Sequence, residues 1–341
     1  MDWESNLKAF KIGKREISSH HPVYIIAEAG INHNGDMEIA KHMIEQASKM
    51  GVDAIKFQTL LPDELFSKES NPELFELIKQ WSFSKQDHLI LKKYTEKQNL
   101  DFISTPIGKK TANILQEIKC KSIKLSSADL TNFELIKHIS SFNIPMIIST
   151  GMSTMSEIYS TVEFLSKQNS SFCLLHCTAA YPTSIDEANL VNISYFKKIF
   201  SVPIGYSDHT IGNDACCTAV SLGATIIEKH FTLDKNMDGP DQKISADVTD
   251  FKNLVARIHT IERLMGKPRI MPTKSEAKFK QAMRRSLVFA NDIKKDVRLK
   301  KSDFVFLRPG NGISINDLDF FVGLKINQNV KKGHFLRHDM I

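Results

Sequence analysis

The chain of 341 residues is poor in cysteine: it has five, with no CxxC pair and no spacing that suggests a disulfide framework. Cys120, Cys173, Cys177, Cys216 and Cys217 are therefore expected as small buried hydrophobes in a reducing cytoplasm. Long apolar runs are also missing. Nothing approaches the roughly 20 apolar residues of a membrane span, and residues 1–14 hold no apolar signal core. A cytoplasmic protein without a membrane partner is expected. No GxGxxG follows the first strand candidate, since Gly30 and Gly35 lack that spacing, which excludes the usual dinucleotide fingerprint. Charge of one sign is scarce too, with 45 Lys and Arg against 39 Asp and Glu. The basic residues are spread along helical segments, clustering only briefly as at Lys294-Lys295 and Lys331-Lys332. That pattern argues against a nucleic-acid partner and leaves solubility with a mild attraction for anionic substrates.

What is present is alternation. Strand candidates at 23–29, 54–58, 101–105, 122–126, 146–150, 172–177, 203–207 and 225–231 are short, apolar and rich in β-branched residues. Between them lie amphipathic segments such as 37–50, 86–98, 109–118, 133–140, 155–167 and 214–222, with a last one at 250–265. Gly51, Pro106, Pro145, Gly151, Pro203 and Gly223 mark the joints. The stretch FKIGKREI (10–17) predicts a hairpin turning at Gly13. Eight strands, each followed by a helix or long loop, predict a closed (β/α)₈ TIM barrel over 1–267, not an open doubly wound sheet. Residues 268–283 are polar and read as a linker. From 284 to 341 the texture changes to short strands and turns, a β-rich module small for an independent core.

Strands buried in a parallel barrel should be nearly continuous apolar runs. These are, except at one end. The eight runs finish, in order, with Glu28; Lys56 and Gln58; Ser104-Thr105; Lys124 and Ser126-Ser127; Ser149-Thr150; His176-Cys177-Thr178; Tyr206-Ser207-Asp208-His209; and Glu228-Lys229-His230. An unpaired buried charge costs on the order of several kcal/mol, so its recurrence at corresponding strand ends points to an active site at the C-terminal face. Lys56 and Lys124, with hydroxyls from Thr105, Ser127 and Ser149, suit a phosphate or carboxylate. The alternative is that each lysine pairs with Glu28, Glu228 or Asp129 in a structural network. His209 and His230, on neighbouring strands, suit a divalent metal with open positions for substrate oxygens.

The segments AEAGINHNGD (27–36), IKFQT (55–59), FISTP (102–106), IKLSSADLTN (123–132), IISTGM (147–152), HCTAAYPT (176–183), GYSDHT (205–210), IEKHFTLDKNMDGPD (227–241) and LRPGNGIS (307–314) resemble the sialic acid synthase family. The last module resembles its antifreeze-like (SAF) domain. The resemblance implies condensation of phosphoenolpyruvate with N-acetylmannosamine or a related N-acetylated aminosugar, giving a 2-keto acid and phosphate. Legionaminate and, less closely, pseudaminate synthases imply a diacetamido-trideoxyhexose instead. It further implies Mn²⁺ or Mg²⁺ on His209 and His230, and phosphoenolpyruvate on Lys56, Thr105, Lys124, Ser127 and Ser149 with Gln58 beside them. Glu28, Tyr181 and Asp241 would meet the sugar, with Glu28 ahead of Glu228 as general acid/base. Arg308 would reach the N-acetyl group in the partner's site of a domain-swapped homodimer.

Three positions depart from the family's usual pattern: Asp129 where glutamate is frequent, Ala179 where a polar residue is, and Gln242 where histidine is. Two other classes compete. One is a Schiff-base aldolase using Lys56, Lys124 or Lys229. The other is an ice-binding tail, disfavoured by the charge of Lys294, Lys295, Lys300, Lys301, Lys331 and Lys332.

Overall fold

The chain enters the described structure, residues 10–341 of a computed structural model, as a hairpin. Strands β1 (Phe10–Ile12) and β2 (Arg15–Ile17) pair antiparallel around Gly13, whose φ of +59° suits glycine. Then follow β3 (Tyr24–Gly30), α1 (Met37–Met50), β4 (Ala54–Thr59), α2 (Pro62–Leu65), α3 (Pro72–Trp81), α4 (Lys85–Lys97), β5 (Asp101–Pro106) and α5 (Lys109–Glu117). The second half runs β6 (Ile123–Leu125), α6 (Phe133–Ser140), β7 (Met146–Ser149), α7 (Met155–Lys167), β8 (Phe172–Cys177), α8 (Val191–Ile199), β9 (Ile204–Asp208), α9 (Asp214–Ser221), β10 (Ile226–His230) and α10 (Val248–Met265). Among the described residues, β3 to β10 close in sequence order into a parallel barrel, with β10 returning to β3. The expected barrel is present, with strand ends within two residues of those predicted. α2, α3 and α8 are additional to the predicted segments.

Period-two alternation sorts each strand into two layers. Outward side chains such as Ile25, Ala27, Ile55, Phe57, Phe102, Ile148, Leu174 and Tyr206 pack against the helices in one large core. Inward ones, among them Tyr24, Ile26, Ala54, Ile103, Ile147, Leu175 and Ile226, form a second core together with Phe10, Ile12 and Ile17. The hairpin therefore seals the N-terminal end of the barrel. On β9 the inward column is thinned by Gly205, where a Cβ would lie 2.5 Å from Leu175 and 2.6 Å from the Ile226 carbonyl oxygen. Helix starts carry their own signals: Asp36 caps α1, and capping boxes open α4 (Ser84/Asp87), α7 (Thr154/Glu157) and α10 (Asp247/Asp250).

The chain divides into two units, Met1–Gly266 and Lys267–Ile341. The second opens with a correction to the predicted linker, because Lys274–Met283 forms helix α11 behind a Thr273/Glu276 capping box. Strands β11 (Ser286–Phe289) and β12 (Phe304–Leu307) pair antiparallel, and α12 (Leu318–Phe321) follows. Isolated bridges such as Val288–Phe335 and Ile293–Val330 complete a module whose core holds Leu287, Phe289, Leu299, Phe304, Phe321, Ile326 and Leu336. Among the described residues, no helix is long and apolar enough to cross a membrane.

Candidate active site

The inward columns change chemistry at one level. Two residues beyond the apolar core, Ile26 gives way to Glu28, Ala54 to Lys56, Ile103 to Thr105, Ile147 to Ser149, Leu175 to Cys177 and Ile226 to Glu228. Above this ring a cavity of ≈ 350 Å³ opens at the C-terminal ends of the strands. It brings together Glu28, Lys56, Gln58, Thr105, Lys124, Ser127, Ser149, Tyr181, His209, Glu228, His230 and Asp241, all singled out from sequence. Arg308 lies in the second unit, directly after β12.

At the floor, Lys56 Nζ lies 2.8 Å from Glu28 Oε2 and 3.7 Å from Glu228 Oε1, and donates to Thr105 Oγ1 at 3.2 Å. Lys124 Nζ donates to Ser149 Oγ at 2.6 Å and the Leu125 carbonyl at 3.0 Å, and stands 3.9 Å from Glu228. The lysines thus line the cavity and are also paired with glutamates. Asp129 takes no part: its carboxylate accepts from Ser126 Oγ at 2.7 Å and Asn132 Nδ2 at 3.2 Å.

These environments separate the two glutamates. Burial raises Glu28 to about 7, the Glu228 charge pushes the same way, and Lys56 opposes both. Burial also acts on Glu228, but Lys124, Lys56 and the Ser207 hydroxyl at 3.0 Å outweigh it and hold this carboxyl below its ordinary value. Glu28 is therefore the more readily protonated of the two near neutral pH, and Glu228 the one held ionised. Burial works against both ammonium groups. The glutamates overcome it at Lys56, which is raised, whereas Lys124 is lowered.

The two imidazoles face each other with ring centroids 5.4 Å apart, and the Tyr181 ring lies 4.1 Å from that of His209. His209 Nδ1 is 2.8 Å from the Thr178 carbonyl, which can only accept, so Nδ1 carries the proton and Nε2 presents a lone pair. His230 Nδ1 is buried without a hydrogen-bond partner, 3.7 Å from Asp241 Oδ2. Burial holds both rings below their ordinary pKa, and hence neutral, as metal ligation requires. An orphaned ring nitrogen beside an available lone pair fits a divalent cation whose remaining positions are taken by water or substrate. No group of three or more His, Cys, Asp or Glu with metal-holding geometry occurs among the described residues. The candidate centre rests on two imidazoles.

Sequence reasoning missed several lining residues. Cys177 was expected as an inert core thiol. It is buried, yet it lines the cavity with Sγ 3.8 Å from His209 Nδ1. Its inward register, two residues after Leu175, was the available signal. Ser207 was passed over as a site residue, and Ile107, Ala128 and Met152 add apolar wall. Ala179 also lines the cavity, and Gly151 lies so close that a Cβ there would meet Ser127 Oγ at 2.8 Å and Ala179 Cβ at 3.1 Å. Gln242 is fully buried: it accepts from the Thr232 hydroxyl and donates to the Asn32 carbonyl at 2.9 Å. Of the three lysines in the aldolase alternative, Lys229 turns away from the cavity and pairs with Asp208 at 2.6 Å.

A family model described as the NeuB family matches residues 43–269, and one described as the SAF domain matches 284–341. An uncharacterised protein of Methanocaldococcus jannaschii is 40% identical over 334 residues, 98% of each chain. The N,N'-diacetyllegionaminic acid synthase of Legionella pneumophila is 35% identical over 327 residues, 91% of this chain and 92% of its own. A solved N-acetylneuraminic acid synthetase from Leptospira borgpetersenii, in complex with citrate, matches with a TM-score of 0.76 at 37% identity, covering 80% of this chain and 95% of its own. On these grounds the chain belongs to the NeuB family and carries a SAF domain after its barrel.

Proposed function

We propose that the chain condenses phosphoenolpyruvate with an N-acetylated aminosugar and water, releasing phosphate and a 2-keto acid. The observation that carries this reading is the floor of the cavity, where two buried lysines stand within 4 Å of two buried glutamates, on a face that also presents two imidazoles. Phosphoenolpyruvate brings nearly three negative charges. Lys56 and Lys124 answer them, with donors from Thr105, Ser127, Ser149 and Gln58. When protonated, Glu28 spares the ligand a second like charge.

The enol carbon C3 attacks the aldehyde carbon of the open-chain sugar, and Glu28 donates its proton to the aldehyde oxygen. Water adds to the cationic centre left at C2 and yields a proton to the Glu228 carboxylate. As the C–O bond to phosphate breaks, the new hydroxyl gives its proton to the Glu28 carboxylate and the departing phosphate takes the proton held by Glu228, leaving the ketone, inorganic phosphate and both glutamates as they began. His209 and His230 would hold Mn²⁺ or Mg²⁺, which when bound polarises the aldehyde as a Lewis acid. Tyr181 and Asp241 orient the sugar, and Arg308 of a domain-swapped partner receives its N-acetyl group. The cytoplasm is the proposed place of action.

Two acceptors remain in play, and the apolar wall of Ile107, Ala128, Met152 and Ala179 favours the diacetamido-trideoxyhexose over N-acetylmannosamine. The former carries a methyl and a second acetamide where the latter has hydroxyls. The Legionella relative, named for a diacetylated product, supports the same choice. Phosphate release, measured with Mn²⁺ and a panel of N-acetylmannosamine and the legionaminate- and pseudaminate-type sugars, should give the highest kcat/KM with the legionaminate-type sugar. A higher value with N-acetylmannosamine would reverse the acceptor, and no release with any sugar would remove the reaction. Borohydride trapping of a pyruvate adduct, with activity surviving a chelator, would favour the Schiff-base aldolase instead.

A further inference from the structure

Behind the two imidazoles lies a second buried ion pair that the proposed reaction does not use. Strands β9 and β10 are neighbours, with Asp208 level with Lys229, and both side chains point outward from the barrel. Lys229 Nζ lies 2.6 Å from Asp208 Oδ2, and the side chains are 3% and 0% exposed. Asp208 Oδ1 accepts from the Tyr206 hydroxyl at 3.0 Å and from the Thr210 N–H at 2.8 Å. Its Oδ2 also accepts from the Cys216 thiol at 3.1 Å, and Lys229 donates to the Thr210 carbonyl at 2.8 Å.

The next residue after each partner is a candidate metal ligand: His209 follows Asp208, and His230 follows Lys229. The pair grips Thr210 by both its N–H and its C=O, so His209 is anchored on either side. The β9–β10 ladder ends at Asp208–Lys229, leaving His209 one residue past the last paired position. On the β8 side the Thr183 N–H donates to the His209 carbonyl at 2.9 Å and the ring meets the Thr178 carbonyl, so the ion pair supplies the hold on the β10 side, which faces His230. Stability does not account for the pair either, since well-packed apolar groups of similar volume commonly serve as well as a buried ion pair. Fixing a geometry is the better attested use.

We propose that Asp208 and Lys229 are positioning residues that set the separation of His209 and His230, and with it the divalent-cation affinity of the mouth. This rests on the reading of the two histidines as metal ligands. The test is Mn²⁺ titration of the full-length protein without substrate, followed by electron paramagnetic resonance well below the melting transition. Tm and phosphoenolpyruvate affinity in chelator are recorded in parallel. Asp208→Asn and Lys229→Met should weaken Mn²⁺ binding by roughly 10- to 100-fold, the range for residues that orient a ligand. Phosphoenolpyruvate affinity should stay within about twofold of wild type. Tyr206→Phe keeps both charges and removes one hydrogen bond, so it should lose about threefold; it carries the test if the charge variants do not fold. Wild-type Mn²⁺ affinity in folded variants would overturn the proposal, as would parallel loss of Mn²⁺ and phosphoenolpyruvate binding. If His230→Ala binds Mn²⁺ as wild type does, the ligand reading itself fails, and the positioning role with it.

Discussion

Glu28 and Glu228 are both buried and both touch Lys56, yet one is raised and the other lowered. The difference is partners: Glu228 has Lys124 at 3.9 Å and the Ser207 hydroxyl at 3.0 Å, whereas Lys124 is the smallest of the influences on Glu28. If Glu28 is the proton donor proposed above, it must be protonated to act, so kcat/KM should fall as pH rises through about 7. A pH–rate profile of Glu28→Gln should lose that limb along with most of the rate. If the limb persists, another group is the acid. The stability sign runs the same way. Between 4.5 and about 7 the folded carboxyl binds a proton that the unfolded one has released, so its contribution to stability declines as pH rises through that window. Sequence could nominate both glutamates but not rank their charges, because the ranking depends on burial and on lysines from other strands.

Among the elements, the loop between β10 and α10 carries Asp241 into the cavity, and Gln242 ties that loop down. Its amide links Thr232 to the Asn32 carbonyl in the protein interior, a neutral anchor for the loop. Gln242→Ala leaves those groups unpaired and should cost about 1–3 kcal/mol in stability. Steady-state kinetics should show a several-fold higher KM for the sugar and little change for phosphoenolpyruvate. Equal rises in both would mean that the loop is not specific to the sugar. The N-terminus of α5 is likewise spoken for, since Glu64 accepts from the Lys110 and Thr111 amides at 2.6 and 2.9 Å. The α11 helix was legible in principle through its Thr273/Glu276 capping box. No residue of that helix is buried, so no apolar face announces it.

At the scale of the whole molecule, the second unit leaves Val305, Phe306 and Leu307 exposed just before Arg308 in sequence. In a domain-swapped dimer, Arg308→Ala chains mixed with His230→Ala chains should recover part of the activity, because one hybrid site then receives an intact Arg308 and an intact His230. Absence of recovery in verified heterodimers would argue for a site completed within one chain.

By itself, the sequence determined the barrel, the polar ends of its strands and most of the charged and polar residues of the cavity. Period-two alternation and helix-length amphipathic segments are local properties, and a charge at the end of an apolar run is visible without coordinates. Only the tertiary structure decided which glutamate is raised and which lowered, that Cys177 and Ser207 join the cavity, and that Lys229 turns away to meet Asp208. Those outcomes depend on burial and on partners from other strands, and chain closure alone brings such groups within a few ångströms of one another.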